Sequence, residues 1–255
     1  MNINDLCEKI HTELQVKLTL HQMDQIEQFV HFLMKENEIT NLTAIREIDD
    51  IYLKHIFDSL TLIKSFNYHE ENLYCFEDKE HLNSINEVLD IGTGPGFPGI
   101  ILKIAFPQIR MTLLDSNNKK TSFLNRAVKL LKLESVTIIT ARAEDYIEKN
   151  REKYDLVTSR AVAKLNILLE LAIPFLKVNG TFVAMKAVED LEETKDGVGA
   201  AIELNSKLMQ KISFQLPIED SQRTLYVFQK KAITKNIYPR RYDQIKKKPL
   251  KNNGK

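Results

Sequence analysis

Residues 87–99 read Glu-Val-Leu-Asp-Ile-Gly-Thr-Gly-Pro-Gly-Phe-Pro-Gly, an apolar strand that runs directly into a loop with glycine at 92, 94, 96 and 99. This loop holds four of the eight glycines in the 255-residue chain. Such clustering costs backbone entropy, so it indicates a loop that needs positive φ angles or a close approach of the main chain to a bound ligand.

Two ligand classes and one structural explanation fit this loop. Gly94, Gly96 and Gly99 have the G-x-G-x-x-G spacing of dinucleotide-binding loops. The pattern Asp90-x-Gly92-x-Gly94-x-Gly96 matches the loop of class I S-adenosylmethionine methyltransferases. A tight turn without a ligand is the third interpretation. Spacing alone leaves the three open.

The charges and backbone donors of the loop favour S-adenosylmethionine. A pyrophosphate needs free backbone N–H groups at a helix start and no nearby anion. Pro95 and Pro98 lack that N–H, and Asp90 at the strand end would repel a phosphate. S-adenosylmethionine is net cationic and tolerates an acid there. We therefore predict it as the cofactor, with a nucleotide and a structural turn as the alternatives.

The composition is that of a globular protein, with 43% hydrophobic and 28% charged residues. The first residues form neither a basic segment nor a long apolar one, which predicts a cytoplasmic protein without membrane contact. Cys7 and Cys75 form no C-x-x-C pair, so we predict reduced thiols and no metal site. Because no long heptad repeat is visible, we expect a monomer.

The periodicity of apolar residues divides the chain into four regions. Helical spacing predicts an N-terminal helical region over 1–66, and the acidic block 67–86 is predicted to be an insert or loop. From 87 to 231, apolar runs alternate with helices, which is typical of an α/β fold with a seven-stranded, mostly parallel sheet. Residues 232–255 form a basic tail. We predict strands at 87–91, 110–115, 136–140, 154–159, 180–186, 212–217 and 224–230, with the last two as an antiparallel hairpin, and helices at 98–105, 117–132, 143–148, 164–176 and 189–211.

Positive charge is concentrated at the C-terminus. Residues 229–255 hold ten Lys and Arg against one Asp, a net charge of +9, whereas the whole chain is +1 and the remainder therefore −8. A basic tail on an acidic body predicts a polyanionic partner such as nucleic acid, and a solvated, disordered C-terminus is the alternative. The predicted substrate contacts in this tail are Arg240, Arg241, Lys246, Lys247 and Lys248.

Polar residues follow several of the predicted strands, at the sheet edge where ligands bind in doubly wound folds. Asp115, nineteen residues after Gly96, can accept both hydroxyl groups of a ribose, or cap the next helix. Ala143 and Glu144 would flank an adenine, with helix capping as the alternative. Arg160 places a cation suited to a carboxylate or a phosphate over the reactive end of the cofactor. Lys186 adds a second cation at the same rim.

The helical region contains a second group of polar residues. His55 and Asp58 are three residues apart and share a helix face with Ser59. Asn41 lies just before them, in an Asn-Leu-Thr triplet. For His55, substrate contact and a structural role both remain open.

Several motifs follow one another in a fixed order: Asn41-Leu-Thr-Ala-Ile-Arg46, His55-Ile-Phe-Asp-Ser-Leu60, Asp90-Ile-Gly-Thr-Gly-Pro-Gly-Phe-Pro-Gly99, Asp115-Ser116, Arg142-Ala-Glu144, Ser159-Arg-Ala-Val-Ala163 and Ala184-Met-Lys186. In this combination the chain resembles the bacterial small-subunit ribosomal RNA N7-guanine methyltransferases, the glucose-inhibited division protein B (GidB) family. The resemblance spans about residues 37–248, although the segment 67–86 looks longer than the family's usual connection.

The resemblance implies a class I, Rossmann-like methyltransferase with an N-terminal helical extension. Its methyl donor would be S-adenosylmethionine, and its acceptor one guanine in the decoding-region loop of 16S rRNA, free or in the small ribosomal subunit. Guanine N7 has a lone pair and no proton, so in-line transfer needs no general base.

The resemblance and the strand ends together give a set of predicted site residues. For catalysis we name Asp58, Arg160 and Lys186, with Asp58 tolerating the positive charge that develops on the purine. For base selection we name Asn41, His55, Arg160 and Lys186, because RNA is read through unstacked bases. The predicted cofactor contacts are Asp90, Gly92, Gly94, Phe97, Asp115, Ala143, Glu144 and Arg160.

Overall fold

The computed structural model describes residues 1–66, 85–160, 163–187, 190–217 and 221–251. The predicted insert 67–86 lies outside these ranges except for its last two residues. Within the described ranges, every helix is too short or too polar to cross a membrane.

Two helices open the chain, as the periodicity predicted. Both α1 (Ile3–Leu14) and α2 (Leu20–Thr40) begin with a capping box, in which the N-cap residue and the third helical residue satisfy each other's backbone N–H groups. Phe29 of α2 packs edge-on against Phe97 of the glycine loop, with 5.6 Å between ring centroids. The helical region and the following α/β region share one apolar cluster, so the helices are part of the same core.

A third helical segment, α3 (residues 48–66), contains a π-helix. It is α-helical over Ile48–Ile51 and Asp58–Leu60, π-helical over Tyr52–Phe57 and 3₁₀-helical over Thr61–Phe66. This segment lies within the region 1–66 that was predicted to be helical, and the π turn shifts the direction of the side chains and carbonyl groups that follow it. This turn faces the glycine loop.

A seven-stranded sheet lies at the centre of the described residues. Its strands run in the order β3-β2-β1-β4-β5-β7-β6, where the numbers follow the chain. The first five strands are parallel, and β7 is antiparallel to both of its neighbours. The predicted α/β fold class and the terminal hairpin are thereby confirmed. The strands are β1 (Glu87–Ile91), β2 (Arg110–Asp115), β3 (Val136–Thr140), β4 (Tyr154–Arg160), β5 (Leu176–Lys186), β6 (Ser206–Gln215) and β7 (Gln222–Lys230).

Helices cover both faces of this sheet. Successive side chains of a strand point to opposite faces, so Val88 joins the apolar cluster shared with α1 and α2, whereas Leu89 joins a second cluster on the other face. The chain leaves β1 towards β2 and later returns on the other side of β1 as β4, which opens a crevice at the carboxyl ends of these strands. The helices are α4 (Gly99–Ala105), α5 (Asn118–Leu130), α6 (Ala143–Tyr146), α7 (Leu165–Ala172) and α8 (Leu191–Glu203).

The boundary between α8 and β6 differs from the prediction. The helix predicted to continue to 211 ends at Glu203, and β6 begins at Ser206. Asn205 between them has a left-handed φ of 56°, which stops a helix. From Ser206 onward, burial alternates residue by residue, which is the period of a strand with one buried face. Leu208 and Ile212 are four residues apart and fit both periods, so the sequence pattern did not place the boundary between helix and strand.

The C-terminal segment folds onto α7 and does not extend into solvent. Its short helix α9 (Tyr242–Lys247) buries Ile245 completely in the apolar cluster that α7 contributes to. Asn166 Nδ2 of α7 donates to the Leu250 carbonyl at 2.8 Å. The alternative of a solvated, disordered C-terminus is therefore wrong for residues 232–251.

Arg240 is held by a buried carboxylate, which corrects its predicted role as a phosphate contact. Its Nε and Nη2 donate to the two oxygens of Glu170 at 2.8 and 2.6 Å. The Glu170 side chain is 0% exposed. Leaving a buried carboxylate without its partner is strongly destabilising, so this guanidinium group fixes the tail to α7.

Candidate functional site

The backbone N–H groups at the start of the glycine loop are bonded within the protein. Gly92 N and Thr93 N both donate to the Leu114 carbonyl of β2, at 2.8 and 3.1 Å. Gly96 N and Phe97 N both donate to the Thr93 carbonyl, at 2.9 and 3.0 Å. These bonds close the loop on itself and tie it to the end of β2.

Carboxylates take the remaining donors of the loop. Gly94 N donates to Asp115 Oδ2 at 2.9 Å, and Gly99 N donates to Asp90 Oδ2 at 2.9 Å. The other two residues between 92 and 99 are prolines, which have no N–H. Every N–H from 92 to 99 thus has a partner inside the protein. A pyrophosphate would find no free donor here, which argues against the nucleotide alternative.

The glycines of the loop serve different purposes. A Cβ at Gly99 would lie 2.3 Å from Leu113 Cδ2, so this residue allows the close packing of α4 on the sheet. A Cβ at Gly94 would meet nothing nearer than 4.0 Å, but its φ of 60° is left-handed. Gly94 is therefore required for the path of the turn, and the space beside it is open.

An open cleft of about 480 Å³ lies outside the carboxyl ends of the first four strands. This volume is in the range of small-molecule sites. Among the described residues, no group of three His, Cys, Asp or Glu side chains could hold a metal ion. Seven of the eight predicted cofactor contacts line the cleft, namely Gly92, Gly94, Phe97, Asp115, Ala143, Glu144 and Arg160.

Asp90 is the eighth predicted contact, and its position requires a correction. It is 0% exposed and is not among the residues that line the cleft. Burial raises the pKa of Asp90 to about 6, although the hydrogen bond from Gly99 N opposes the rise. Asp90 therefore holds the start of α4 from below the loop.

Asp115 faces the cleft and is not a helix cap. Its Oδ2 accepts from Gly94 N, and its Oδ1 accepts from Asn117 N at 2.8 Å. The N-cap of α5 is Asn117, whose side chain accepts from two amides of the first turn. The capping alternative for Asp115 is therefore wrong. Each carboxylate oxygen can accept a second hydrogen bond, so capacity remains for two hydroxyl groups.

Ala143 and Glu144 begin α6 without a side-chain cap. Arg142 occupies the N-cap position, and its side chain makes no capping hydrogen bond. Both residues line the cleft together with Arg142. The capping alternative thus has no support, and the side chains at this end of the cleft are available to a ligand.

Arg160 joins the helical region to the other end of the cleft. Its Nη1 donates to the Lys54 carbonyl at 3.0 Å and to Asp58 Oδ2 at 3.1 Å, and its Nη2 lies 3.1 Å from His55 Nδ1. The guanidinium group also lies over the Phe97 ring, 5.2 Å from its centroid. All three helical partners come from or directly follow the π-helical turn. That turn therefore positions the cation at the end of β4.

Both ring nitrogens of His55 have hydrogen-bond partners. Nδ1 lies 3.1 Å from Arg160 Nη2 and 3.2 Å from the Lys54 carbonyl, and Nε2 lies 2.9 Å from Thr43 Oγ1. The ring stacks on Phe97 with 4.4 Å between centroids. Burial, with a smaller contribution from Arg160, lowers the pKa of His55 to about 3. The imidazole is neutral, and both nitrogens are used in the structure.

Asp58 does not line the cleft, and its predicted catalytic role is corrected accordingly. It is 2% exposed, with Oδ2 bound by Arg160 and Oδ1 bound by Arg223 Nε at 3.0 Å. A carboxylate between two guanidinium groups cannot turn towards a purine without leaving a buried cation unpaired. Asp58 instead positions Arg160.

Lys186 lies away from the cleft, so the predicted second cation at its rim is wrong. Its Nζ donates to the Ala163 carbonyl at 2.9 Å and forms an ion pair with Glu193 of α8 at 2.7 Å. It is not among the residues that line the cleft. The neighbouring acid neutralises it, which leaves Arg160 as the cation that the end of β4 brings to the cleft.

Asn41 also has a structural position and does not line the cleft. It is the exposed C-cap of α2, with a left-handed φ of 49°. Asn37 makes the contacts instead, exchanging two 2.9 Å hydrogen bonds with the backbone of Thr43. The asparagine that supports His55 is thus Asn37, through Thr43.

The other four predicted substrate contacts of the tail are exposed. Arg241 has a side chain that is 85% exposed and only a distant ion pair, 3.7 Å, with Asp243. Lys246, Lys247 and Lys248 are exposed on α9 and just after it. These four cations are therefore available to a ligand. They lie on or directly beside α9, whose first residue borders the cleft.

Two residues of this site were missed by sequence analysis. Arg223 lies 165 positions after Asp58, and local spacing does not reveal such a pair. Tyr242 lines the cleft, although it lies in the basic tail. An aromatic residue inside a run of Arg and Lys was the one signal that could have identified it.

Most of the chain is similar to known proteins. Residues 22–219 match the family model GidB, described as rRNA small subunit methyltransferase G. A protein of Lysinibacillus sphaericus named "Ribosomal RNA small subunit methyltransferase G" is 40% identical over 237 residues, 92% of this chain and 94% of that one. A protein of the same name from Bacillus subtilis is 37% identical over 252 residues, 98% of this chain and 99% of that one.

The buried imidazole predicts a pH dependence of stability. The pKa of His55 is about 3 in the folded protein, whereas a histidine without these surroundings has a pKa of 6.5. As the pH falls below 6.5, only the unfolded chain therefore takes up this proton. We expect His55 to account for a loss of about 2 kcal/mol in unfolding free energy between pH 7 and pH 5. Urea unfolding of His55→Asn at both pH values should show a correspondingly smaller loss than the wild type.

The matched control is His31→Asn, because His31 is exposed on α2. This variant should lose as much stability as the wild type between the two pH values. If His55→Asn lost as much as the wild type, the neutral, buried imidazole would be contradicted.

Proposed function

Since this chain belongs to the GidB family, rRNA small subunit methyltransferase G, we propose that it transfers the methyl group of S-adenosylmethionine to N7 of a guanine in 16S rRNA. The proposed target is one guanine in the decoding-region loop, free or within the small ribosomal subunit. The proposal combines family membership with the chemistry of the cleft.

The observation that carries the proposal is the set of donors and acceptors that the cleft offers. The glycine loop has no free N–H for a phosphate, whereas Asp115 has acceptor capacity for two ribose hydroxyl groups. Arg160 uses three of its five N–H donors in the contacts described above. The other two suit a carboxylate. A ligand with a ribose and a carboxylate but no phosphate fits these residues, and S-adenosylmethionine is such a ligand.

The chain contributes positioning to this reaction. S-adenosylmethionine supplies an electrophilic methyl group on a sulfonium sulfur, and guanine N7 supplies a lone pair without a proton to remove. A neutral His55 with both nitrogens engaged is consistent with chemistry that needs no general base. The stack of Arg160, Phe97 and His55 gives the reactive end a rigid wall, which favours in-line approach of the two reactants.

RNA binding is proposed to use the exposed cations of the tail. Arg241, Lys246, Lys247 and Lys248 are free of strong ion pairs within the described residues, and they lie on or directly beside α9, the helix that borders the cleft. Contacts to phosphates supply affinity and salt dependence without selecting a base. Because Lys186 is held in structural contacts and Asn41 does not line the cleft, base selection is proposed to come from groups at the Arg160 end of the cleft.

Transfer of label from tritiated S-adenosylmethionine tests the reaction. We expect the protein to label small-subunit RNA that lacks the modification, and nucleoside analysis to recover the label as 7-methylguanosine. RNA that already carries the modification serves as the control and should accept no label. Label in another nucleoside, or no label transfer at all, would reject the proposal. Label in a small-molecule acceptor would also reject it, since the same fold supports methyltransferases of small molecules.

The salt dependence of RNA binding tests the role of the tail. Replacing Lys246, Lys247 and Lys248 together by Gln removes three phosphate contacts. The slope of log K against log salt should then become shallower by roughly 2. Filter binding or fluorescence anisotropy between 50 and 200 mM salt, about the range over which such slopes are resolved, gives this slope.

The matched control replaces Lys129, Lys149 and Lys207 together by Gln. These exposed lysines lie near the amino ends of the strands, away from the carboxyl ends that form the cleft. It should keep the wild-type slope. Equal slopes for the tail variant and the wild type, or equal losses in both triple variants, would contradict specific contact by the tail.

A further inference from the structure

A tyrosine of the C-terminal segment forms part of the cleft wall. Tyr242, the first residue of α9, lines the cleft together with Arg142 and Leu171. The Arg142 guanidinium group lies over the tyrosine ring, 5.5 Å from its centroid. Arg142 follows β3 and directly precedes Ala143, so it lies at the β3 end of the cleft. Arg160 lies at the opposite end, at β4, and the ends of β2 and β1 lie between the two.

The ring is held in place from both sides of α9. Before the helix, Arg240 is bound by the buried carboxylate of Glu170, and after it the Leu250 carbonyl accepts from Asn166. Ile245, three residues after the tyrosine, is completely buried. Tyr242 is therefore fixed as part of the cleft, although the segment that carries it is rich in exposed charges.

The surroundings of the ring suit a flat heteroaromatic base. Tyr242 lies among an apolar side chain, Leu171, a small one, Ala143, and the planar group of Arg142. An aromatic side chain stacks on any nucleobase through its π face. Glu144 of the same wall can accept from an exocyclic amino group. The opposite, Arg160 end offers a cation and suits the carboxylate of a ligand.

We propose that Tyr242 is a cofactor-binding residue that packs against the adenine of S-adenosylmethionine. The inference rests on the proposed function and adds the C-terminal segment to the cofactor site. It means that α9 serves two ligands: its first side chain faces the cofactor, while its exposed lysines face the RNA. Removing the ring should weaken the binding of every ligand that carries the adenosine part, whatever group lies at the other end of the ligand.

Isothermal titration calorimetry with two ligands tests this inference. One ligand is S-adenosylmethionine, and the other is 5′-methylthioadenosine, which has the adenosine part but no amino acid part. We expect Tyr242→Ala to weaken both by about tenfold, the loss typical of one base-stacking contact. Tyr242→Phe keeps the ring and should bind both ligands like the wild type. Gln244→Ala, an exposed change on the same helix, should also bind like the wild type.

Each other outcome overturns the inference. Wild-type affinity of Tyr242→Ala for both ligands would show that the ring makes no contact with the cofactor. Weaker binding of S-adenosylmethionine alone would show that the ring contacts the amino acid part and not the adenine. Tyr242→Leu, which keeps apolar bulk on α9, provides the same comparison if the alanine variant unfolds. Failure of the wild-type protein to bind S-adenosylmethionine would overturn the proposed function as well, so the two failures are distinguishable.

Discussion

The hydrogen bonds that close the glycine loop determine what the cleft can bind. Carbonyl groups of Thr93 and Leu114 and the carboxylates of Asp90 and Asp115 take every N–H between 92 and 99. A loop that looks like a phosphate cradle in sequence therefore has no donor left for a phosphate. The same bond that occupies Gly94 N also orients Asp115 at the edge of the cleft. Closure of the loop thus excludes one ligand class and prepares an acceptor for another.

Arg160 is the second centre of the site, and it connects two parts of the chain that sequence analysis treated separately. The guanidinium group takes partners from the π-helical turn of the N-terminal region and lies on Phe97 of the glycine loop. Asp58 links it further to Arg223 of β7. The helical extension is therefore part of the site wall. Rigid placement of this kind suits a transfer reaction in which no proton has to be moved.

The sequence predicted the features that depend on local pattern. All five parallel strands and the cleft-lining residues at their ends followed from hydrophobic runs and from the rule that ligands bind at carboxyl edges. Features that depend on distant partners were not predictable: Lys186 is neutralised by Glu193 of α8, and Arg240 pairs with Glu170, 70 positions away. Asp90 has the expected residue type but points beneath the loop, since direction is not encoded in spacing.

The most direct test of the account compares ligands in the cleft by isothermal titration calorimetry. The account predicts that S-adenosylmethionine binds, and that NAD⁺ and ATP neither bind nor displace it, because the loop has no free N–H for their phosphates. Binding of either nucleotide with an affinity comparable to that of S-adenosylmethionine would contradict the central claim. It would mean that the loop can open its internal hydrogen bonds to accept a phosphate.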